Sequence, residues 1–388
     1  MKTKMLVVAG LAAFAGTAHA ADASSVPTLS QVLGASDINV SGYFDVAYNS
    51  MNSTGLFNNA GTGPLVGGTA GNSHIFDTQG ATQGKNFSSF NLHQLGLTVA
   101  KQPKEGFGGL VNVTAGQDAA TIASSGLGSN TTSHVFDLTQ AYVSYATGPL
   151  TVIGGKFATL AGAELITSPS NSNYTRAWMF GWGPYTHTGV RATYAASDMV
   201  TLTAGINNGF DQVNSPTGGK TGEFSIAIVP SDMFSLATTY YTGKGMMSGS
   251  TGKGNYLDVL GTINATSKLN FVFDYANASQ DGVTVLPSNT TGKAKWNALA
   301  LYANYKFNDT WRISYRHEGF DDKQGYRSGL VQKLKSHTVT VGYAVSKGME
   351  LRGEVRQDKS DLANAFLRGN GTTSDTQMTY AVEAVYQF

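Results

Sequence analysis

A chain of 388 residues without cysteine must hold together with no disulfide, and 26 basic against 25 acidic residues leave no basic excess of the kind a nucleic-acid binder carries. Forty-seven glycines, 13% charged and 11% aromatic residues fit many strands joined by Gly/Ser/Thr/Asn loops, not a helical protein.

The N-terminus has the order of an export signal: Lys2 and Lys4, an apolar stretch from Met5 to Phe14, then Ala18-His19-Ala20 as a small-residue cleavage site. Residues 1–20 are therefore read as a signal peptide, with the mature chain starting at Ala21. No later run reaches the ~20 apolar residues of a spanning helix. Residues 21–37 form a short periplasmic segment, with 28–33 a candidate helix, and are too few for a plug domain.

From there, stretches of period-2 alternation recur near 38–49, 87–101, 106–117, 134–147, 150–158, 185–196, 200–209, 222–230, 233–243, 254–264, 268–279, 295–307, 310–320, 336–346, 349–359 and 376–388. Each is long enough to cross a bilayer at a tilt. In 268–279, Leu269, Phe271, Phe273 and Tyr275 alternate with Asn270 and Asp274. Short gaps such as Thr147-Gly148-Pro149 and Asn308-Asp309 alternate with long polar loops, among them 50–86, 159–184, 280–294 and 360–375. Unequal ends of this kind mark short periplasmic turns and long external loops. The predicted fold is all-β: a closed antiparallel transmembrane β-barrel of about sixteen strands over 38–388, the first strand pairing with the last because hydrocarbon cannot satisfy an open edge.

Loop 159–184 carries a helix-compatible start over 160–166 and then Tyr174, Trp178, Phe180 and Trp182, too apolar to stand in water. It is expected to fold into the lumen, the alternative being a cap on the outer rim or a subunit contact. Alternation sends Lys306, Arg312, Arg316, Arg352 and Arg356 into the lumen with Glu318, Glu354 and Asp358 among them, and Glu164 on the loop is expected across from the arginines, completing a transverse field. Arg176, Lys156, His187 and Arg191 are further lumenal candidates, Lys156 being opposite in parity to Ile153. The alternative is mutual neutralisation that merely hydrates the wall. Tyr386, Phe388, Phe307, Trp311, Tyr145 and Tyr194 gather beside the short turns as a periplasmic aromatic belt.

The last segment, 376–388, places Met378, Tyr380, Val382, Ala384, Tyr386 and Phe388 on one face and Thr379, Ala381 and Glu383 on the other. A terminal Tyr386-x-Phe388 resembles the signal read by the barrel-assembly machinery. The segments FDLTQAYVSY, GGKFATLAGAELI, SNSNYTRAWMFGWGPYTHTGVRATY and LTAGINNGFD, between Phe136 and Asp211, resemble the OmpL-like β-barrel porin family, with the general trimeric porins as the nearest architectural comparison. The resemblance implies a pore in the outer membrane of a Gram-negative bacterium and carries no catalytic residues.

A barrel of this width leaves an aqueous channel unless something fills it, so the expected function is passive diffusion of small hydrophilic solutes or ions. A structural or adhesive barrel with a blocked lumen is the first rival. An outer-membrane hydrolase is the second, and it lacks a base: His93, His317 and His337 face outward by parity, His74 and His134 lie in or near loops, and His187 reads as a hydrogen-bonded wall residue. No cofactor and no metal are expected, there being no cysteine and no paired-His spacing. The expected partners are membrane lipid, the transported solutes and the assembly machinery, with no nucleic acid; a monomer and a homotrimer are not distinguished.

Overall fold

The computed structural model describes residues 36–58, 76–77, 84–127 and 135–388. The signal segment 1–20, the helix expected over 28–33, His74 and His134 lie outside the described residues.

Sixteen antiparallel strands close a barrel. In chain order they are β1 (Asn39–Met51), β2 (Ser88–Lys101), β3 (Gly106–Ala115), β4 (Phe136–Thr147), β5 (Leu150–Ala158), β6 (Thr186–Ala195), β7 (Val200–Asn207), β8 (Thr221–Ser231), β9 (Phe234–Lys244), β10 (Lys253–Asn264), β11 (Leu269–Val285), β12 (Thr290–Lys306), β13 (Trp311–Asp322), β14 (Gln332–Ser346) and β15 (Met349–Ser360), then, after a small hairpin of β16 (Phe366–Leu367) and β17 (Thr373–Ser374), β18 (Thr376–Gln387). Each barrel strand pairs with its sequence neighbours, and β1 closes on β18 through a ladder from Tyr43–Gln387 to Met51–Thr379. No edge is left unpaired, as a hydrocarbon surround requires. Among the described residues no helix is long and apolar enough to cross a membrane.

Alternation sorts the side chains as a wall between oil and water demands. On β18, Tyr380, Val382 and Tyr386 are exposed while Ala381, Glu383 and Val385 are buried. The six aromatics of the expected periplasmic belt, Tyr145, Tyr194, Phe307, Trp311, Tyr386 and Phe388, are all exposed on the outer face. An arginine placed on this face must be desolvated by lipid. Val382→Arg, at a position 61% exposed, is expected to destabilise the barrel by ~2–4 kcal/mol, read by urea titration of folding into lipid vesicles.

Two departures from the expected alternation have local causes. The β1–β2 ladder slips between Asp45–Gln94 and Val46–Leu92, which leaves His93 as an extra residue. Such a bulge re-aims side chains, and His93 and Gln94 are both buried inside the barrel, so His93 does not face outward. On β5, Ile153 is paired with Ser144 and Arg191 and shares their inward face. Gly155, at φ +139°, then breaks the alternation, and Lys156 is buried as well. A side chain at Gly155 would place its Cβ 2.3 Å from the Ala141 carbonyl oxygen.

The segment 280–294, expected as a loop, is instead the extended end of β11 and β12, paired through Val283–Gly292 and Val285–Thr290 across a bulge at Gly282. Val283 tucks into the apolar cluster inside the barrel, which anchors the extension. Residues 160–166, with their helix-compatible composition, form no helix. Gly162 sits at φ +92°, and the Gly162 and Ala163 amides are donated to wall carboxylates instead of to the preceding turn.

Candidate functional site: the segment inside the barrel

Segment 159–184 connects β5 to β6 and is bonded to inward residues of β2, β10, β11, β13 and β15. Its backbone is held by inward side chains of the wall. The Gly162 amide donates to Asp258 Oδ1 at 3.0 Å and the Ala163 amide to Asp274 Oδ2 at 2.6 Å, on β10 and β11. Further on, Gln94 Nε2 of β2 donates to the Ile166 carbonyl at 2.9 Å. Arg312 Nη1 donates to the Ser172 carbonyl at 2.7 Å, and Asn173 Nδ2 to Thr340 Oγ1 at 2.6 Å.

Glu354 is the most heavily used acceptor. Its two oxygens take the Tyr174 amide (2.7 Å), the Thr175 amide (2.9 Å), Thr175 Oγ1 (2.5 Å) and Thr340 Oγ1 (2.6 Å). Glu318 Oε2 accepts the Trp178 amide at 2.6 Å, and Arg356 Nη1 donates to the Arg176 carbonyl at 2.6 Å. The wall therefore supplies side-chain partners for backbone groups that no sheet or helix satisfies, as a buried irregular segment requires.

The charges pair closely. Arg316 Nη1 lies 2.7 Å from Glu164 Oε1 and 2.5 Å from the Thr175 carbonyl oxygen, and its Nε is 3.7 Å from Glu318. Arg356 pairs with Glu318 at 2.9 Å and with Asp358 at 2.8 Å. Arg352 reaches Glu350 at 2.6 Å and Glu383 at 3.1 Å. Glu350, which was not among the expected residues, also takes Arg312 in a two-point pair at 2.6 and 2.9 Å. Arg316 and Arg356 are both 0% exposed. The transverse field expected from Glu164 is thus replaced by direct contact: Glu164 is bonded to Arg316 and not set across the lumen from it. Removing one member of such a pair leaves an uncompensated buried charge.

The other expected residues fall elsewhere. Lys156 pairs with Asp137 at 3.3 Å, and Arg191 with Glu223 at 2.6 Å while lying over the Phe157 ring. Arg176 donates to the Tyr174 carbonyl at 2.8 Å and to Ser168 Oγ at 3.2 Å, and packs over Phe76 and Phe180. His187 is fully buried, stacked on Tyr241 and within 3.1 Å of the Gly209 carbonyl. Lys306 is exposed at the end of β12, opposite Arg312 in the strand register. At the corner where the segment rejoins β6, Asp211 accepts the Tyr185 and Thr186 amides at 3.0 and 2.8 Å. Burial pushes its carboxyl up to about 7 despite those two bonds.

Sequence reasoning missed two features. One is a chain of contacts from Asp118 through His93 to Tyr174, at 3.1 and 2.8 Å, which ties the segment to β2; its signal, a bulge, is invisible to parity. The other is apolar. The short helix Trp178–Trp182 packs Trp178 and Trp182 against Phe57, Phe320 and each other, beside a wall of small inward residues, Ala276, Ala278, Ala294, Ala298 and Ala300. Alanine at alternate positions of two adjacent strands was the available signal: a lumen wall without polar atoms has to be covered.

A search of curated proteins finds no match. Among solved structures the chain is similar to the outer membrane channel DcaP of Acinetobacter baumannii, at 16% identity and TM-score 0.58 over 90% of this chain and 97% of that one. It is likewise similar to an anion-selective porin from Comamonas acidovorans, at 12% identity and TM-score 0.61 over 90% and 99%. A third is the trimer form of OmpT, in-vitro folded, from Vibrio cholerae, at 12% identity and TM-score 0.53 over 90% and 99%. The family model described as putative beta-barrel porin-2, OmpL-like, matches residues 37–388. The chain therefore belongs to this OmpL-like porin family, and it is an outer-membrane channel of a Gram-negative bacterium.

Proposed function

We propose that the channel carries small hydrophilic solutes or ions by passive diffusion, with segment 159–184 setting its narrowest point. The observation that carries this reading is Arg316, which holds both Glu164 and the Thr175 carbonyl of the segment while fully enclosed. The arginines then act by fixing the segment, and the surrounding ion pairs leave little net charge facing water. The water path runs against β4 and β6–β8, where Tyr142, Thr193, Thr203 and Ser225 line the inner face and are only half-buried. No reaction is assigned to the chain. Membrane lipid surrounds the outer face, the assembly machinery reads Tyr386 and Phe388, and a homotrimer is the assembly state proposed by likeness to the trimer form of OmpT.

The full burial of Arg316 and Arg356 favours a second reading of the same channel, in which the docked segment is a closed state and conduction begins when it undocks. Purified protein in a planar bilayer separates the two. Stable, ohmic unit steps at low voltage are expected from the first; rare openings of large amplitude would support the second, and complete silence would overturn both.

A further inference from the structure

One row of the inner wall carries hydroxyl side chains on five successive strands. Thr151 of β5 stands opposite Thr193 of β6, Thr193 opposite Thr203 of β7, Thr203 opposite Ser225 of β8, and Ser225 opposite Thr239 of β9. Residues directly opposite each other in a sheet share a face, and at ~4.8 Å between strands the row extends about 19 Å. It also climbs. Thr151 follows Leu150 at the start of β5, beside the short turn from β4, whereas Ser225 and Thr239 lie well inside β8 and β9, away from the turn between Ser231 and Phe234. The next position in the row is Asp258, which pairs with Thr239 and accepts the Gly162 amide of the enclosed segment. The hydroxyls therefore form a ramp from the short-turn rim of the lumen to a wall residue that holds segment 159–184.

Thr151, Thr193, Thr203 and Ser225 are half-buried, unlike the enclosed clamp around Arg316. Thr193 Oγ1 and Thr203 Oγ1 lie 3.2 Å apart, and Ser225 Oγ and Thr239 Oγ1 lie 3.0 Å apart. Each such bond uses one hydrogen of its pair. Because a hydroxyl is one donor and a double acceptor, each pair keeps a hydrogen and lone pairs for a guest. The parallel row on the short-turn side is Thr201, Ala227, Ala237 and Leu260, mostly methyl surface. The parallel row on the other side holds Arg191 and Glu223, which neutralise each other at 2.6 Å. Between that ion pair and the short turns, the inward strand residues of β5 to β9 carry no charge. This stretch of wall thus offers an uncharged hydroxyl edge beside an apolar strip.

We propose that the channel prefers neutral polyhydroxylated solutes, sugars and polyols, and that the row Thr151, Thr193, Thr203, Ser225 and Thr239 is the track along which they pass. A sugar is amphipathic in the same sense as this wall: its hydroxyls find partners of either hydrogen-bonding sense along the row, and its C–H face finds Ala227, Ala237 and Leu260. An ion of either sign finds no fixed counter-charge on the same stretch. A wall that meets a solute hydroxyl with hydroxyls discriminates against solutes that lack one, because its own groups are then left unpaired. This preference rests on the chain being an open channel for hydrophilic solutes, and it names their class.

The test is the current through single channels of the full folded protein in a planar bilayer bathed in potassium chloride, with maltose added. Reversible, saturable block by maltose is expected, together with a reversal potential near zero in a salt gradient. The variant Thr193→Val/Thr203→Val/Ser225→Ala keeps the bore and removes three hydroxyls. It should need on the order of tenfold more maltose for half-block, with unit conductance and heat-modifiable gel mobility unchanged. Thr203→Val alone should shift half-block in the same direction, and Ser225→Thr should retain the wild-type value. A current that falls only in proportion to the conductivity of the maltose solution, or equal half-block in the triple variant, overturns the track and leaves the channel intact. A strong preference for ions of one sign also overturns it. Absence of any conductance step overturns the channel reading, and the track with it.

Discussion

Replacing Arg316 with alanine is expected to release segment 159–184 from the wall and raise single-channel conductance severalfold. Arg316 makes four bonds within this network, to Glu164, the Thr175 carbonyl, Thr175 Oγ1 and Thr338 Oγ1, with no exposure to water. Its loss leaves Glu164 and Glu318 buried with one fewer cation, a change that costs about 3–5 kcal/mol when a buried pair is broken from one side. The barrel does not have to absorb that cost, because every rung of the β12–β13 and β13–β14 ladders stays in place. The segment absorbs it by undocking, which rehydrates both carboxylates. Limited proteolysis within 159–184 should accordingly become fast while urea unfolding of the barrel is unchanged. A variant with wild-type conductance and a protease-resistant segment would contradict the assignment of Arg316 as a clamp.

The second large effect is expected from Trp178→Ala, through packing and not charge. Trp178 stacks on Trp182 with centroids 5.0 Å apart, on Phe57 at 5.9 Å, and beneath the Arg356 guanidinium at 4.9 Å. Truncating a buried tryptophan costs ~3–5 kcal/mol, here charged against docking of the helix Trp178–Trp182 on the alanine wall. Hydrogen exchange should report faster exchange of the amides at Trp178 and Gly181 with β12 and β13 still protected. Because Trp178 also donates its amide to Glu318, which pairs with Arg356, the effect of Trp178→Ala and Arg316→Ala together should fall short of their sum, as neighbours sharing one network do. Strict additivity would mean that the aromatic and charged halves of the site are independent.

The barrel was largely legible because its physics repeats. One side of each strand meets hydrocarbon and the other does not, so Leu299 and Leu301 alternate with Ala298 and Ala300 wherever the strand crosses. Strand ends were less legible: the extension of β11 and β12 to Val285 and Thr290 depends on Val283 reaching an apolar cluster whose other members come from distant segments. The interior was legible only as a set of inward residues. Alternation tells that Arg316, Glu318, Arg352, Glu354 and Arg356 face inward, but not that they face a folded segment instead of water. Whether an inward arginine is solvated or clamped is decided by Glu164, some 150 residues away in the chain, and period-2 patterning carries no such long-range information. His93 was lost to a single-residue slip in register, which no counting of parity detects.

The most direct measurement is the unit conductance of a variant in which residues 163–181 are replaced by a short Gly-Ser bridge, compared with the intact chain in the same bilayer. If the enclosed segment sets the aperture, the shortened variant opens in steps several times larger with the same barrel stability in urea. Steps of unchanged size from both proteins would show that the narrowing lies elsewhere, and the clamp built around Arg316 and Glu354 would lose its functional meaning.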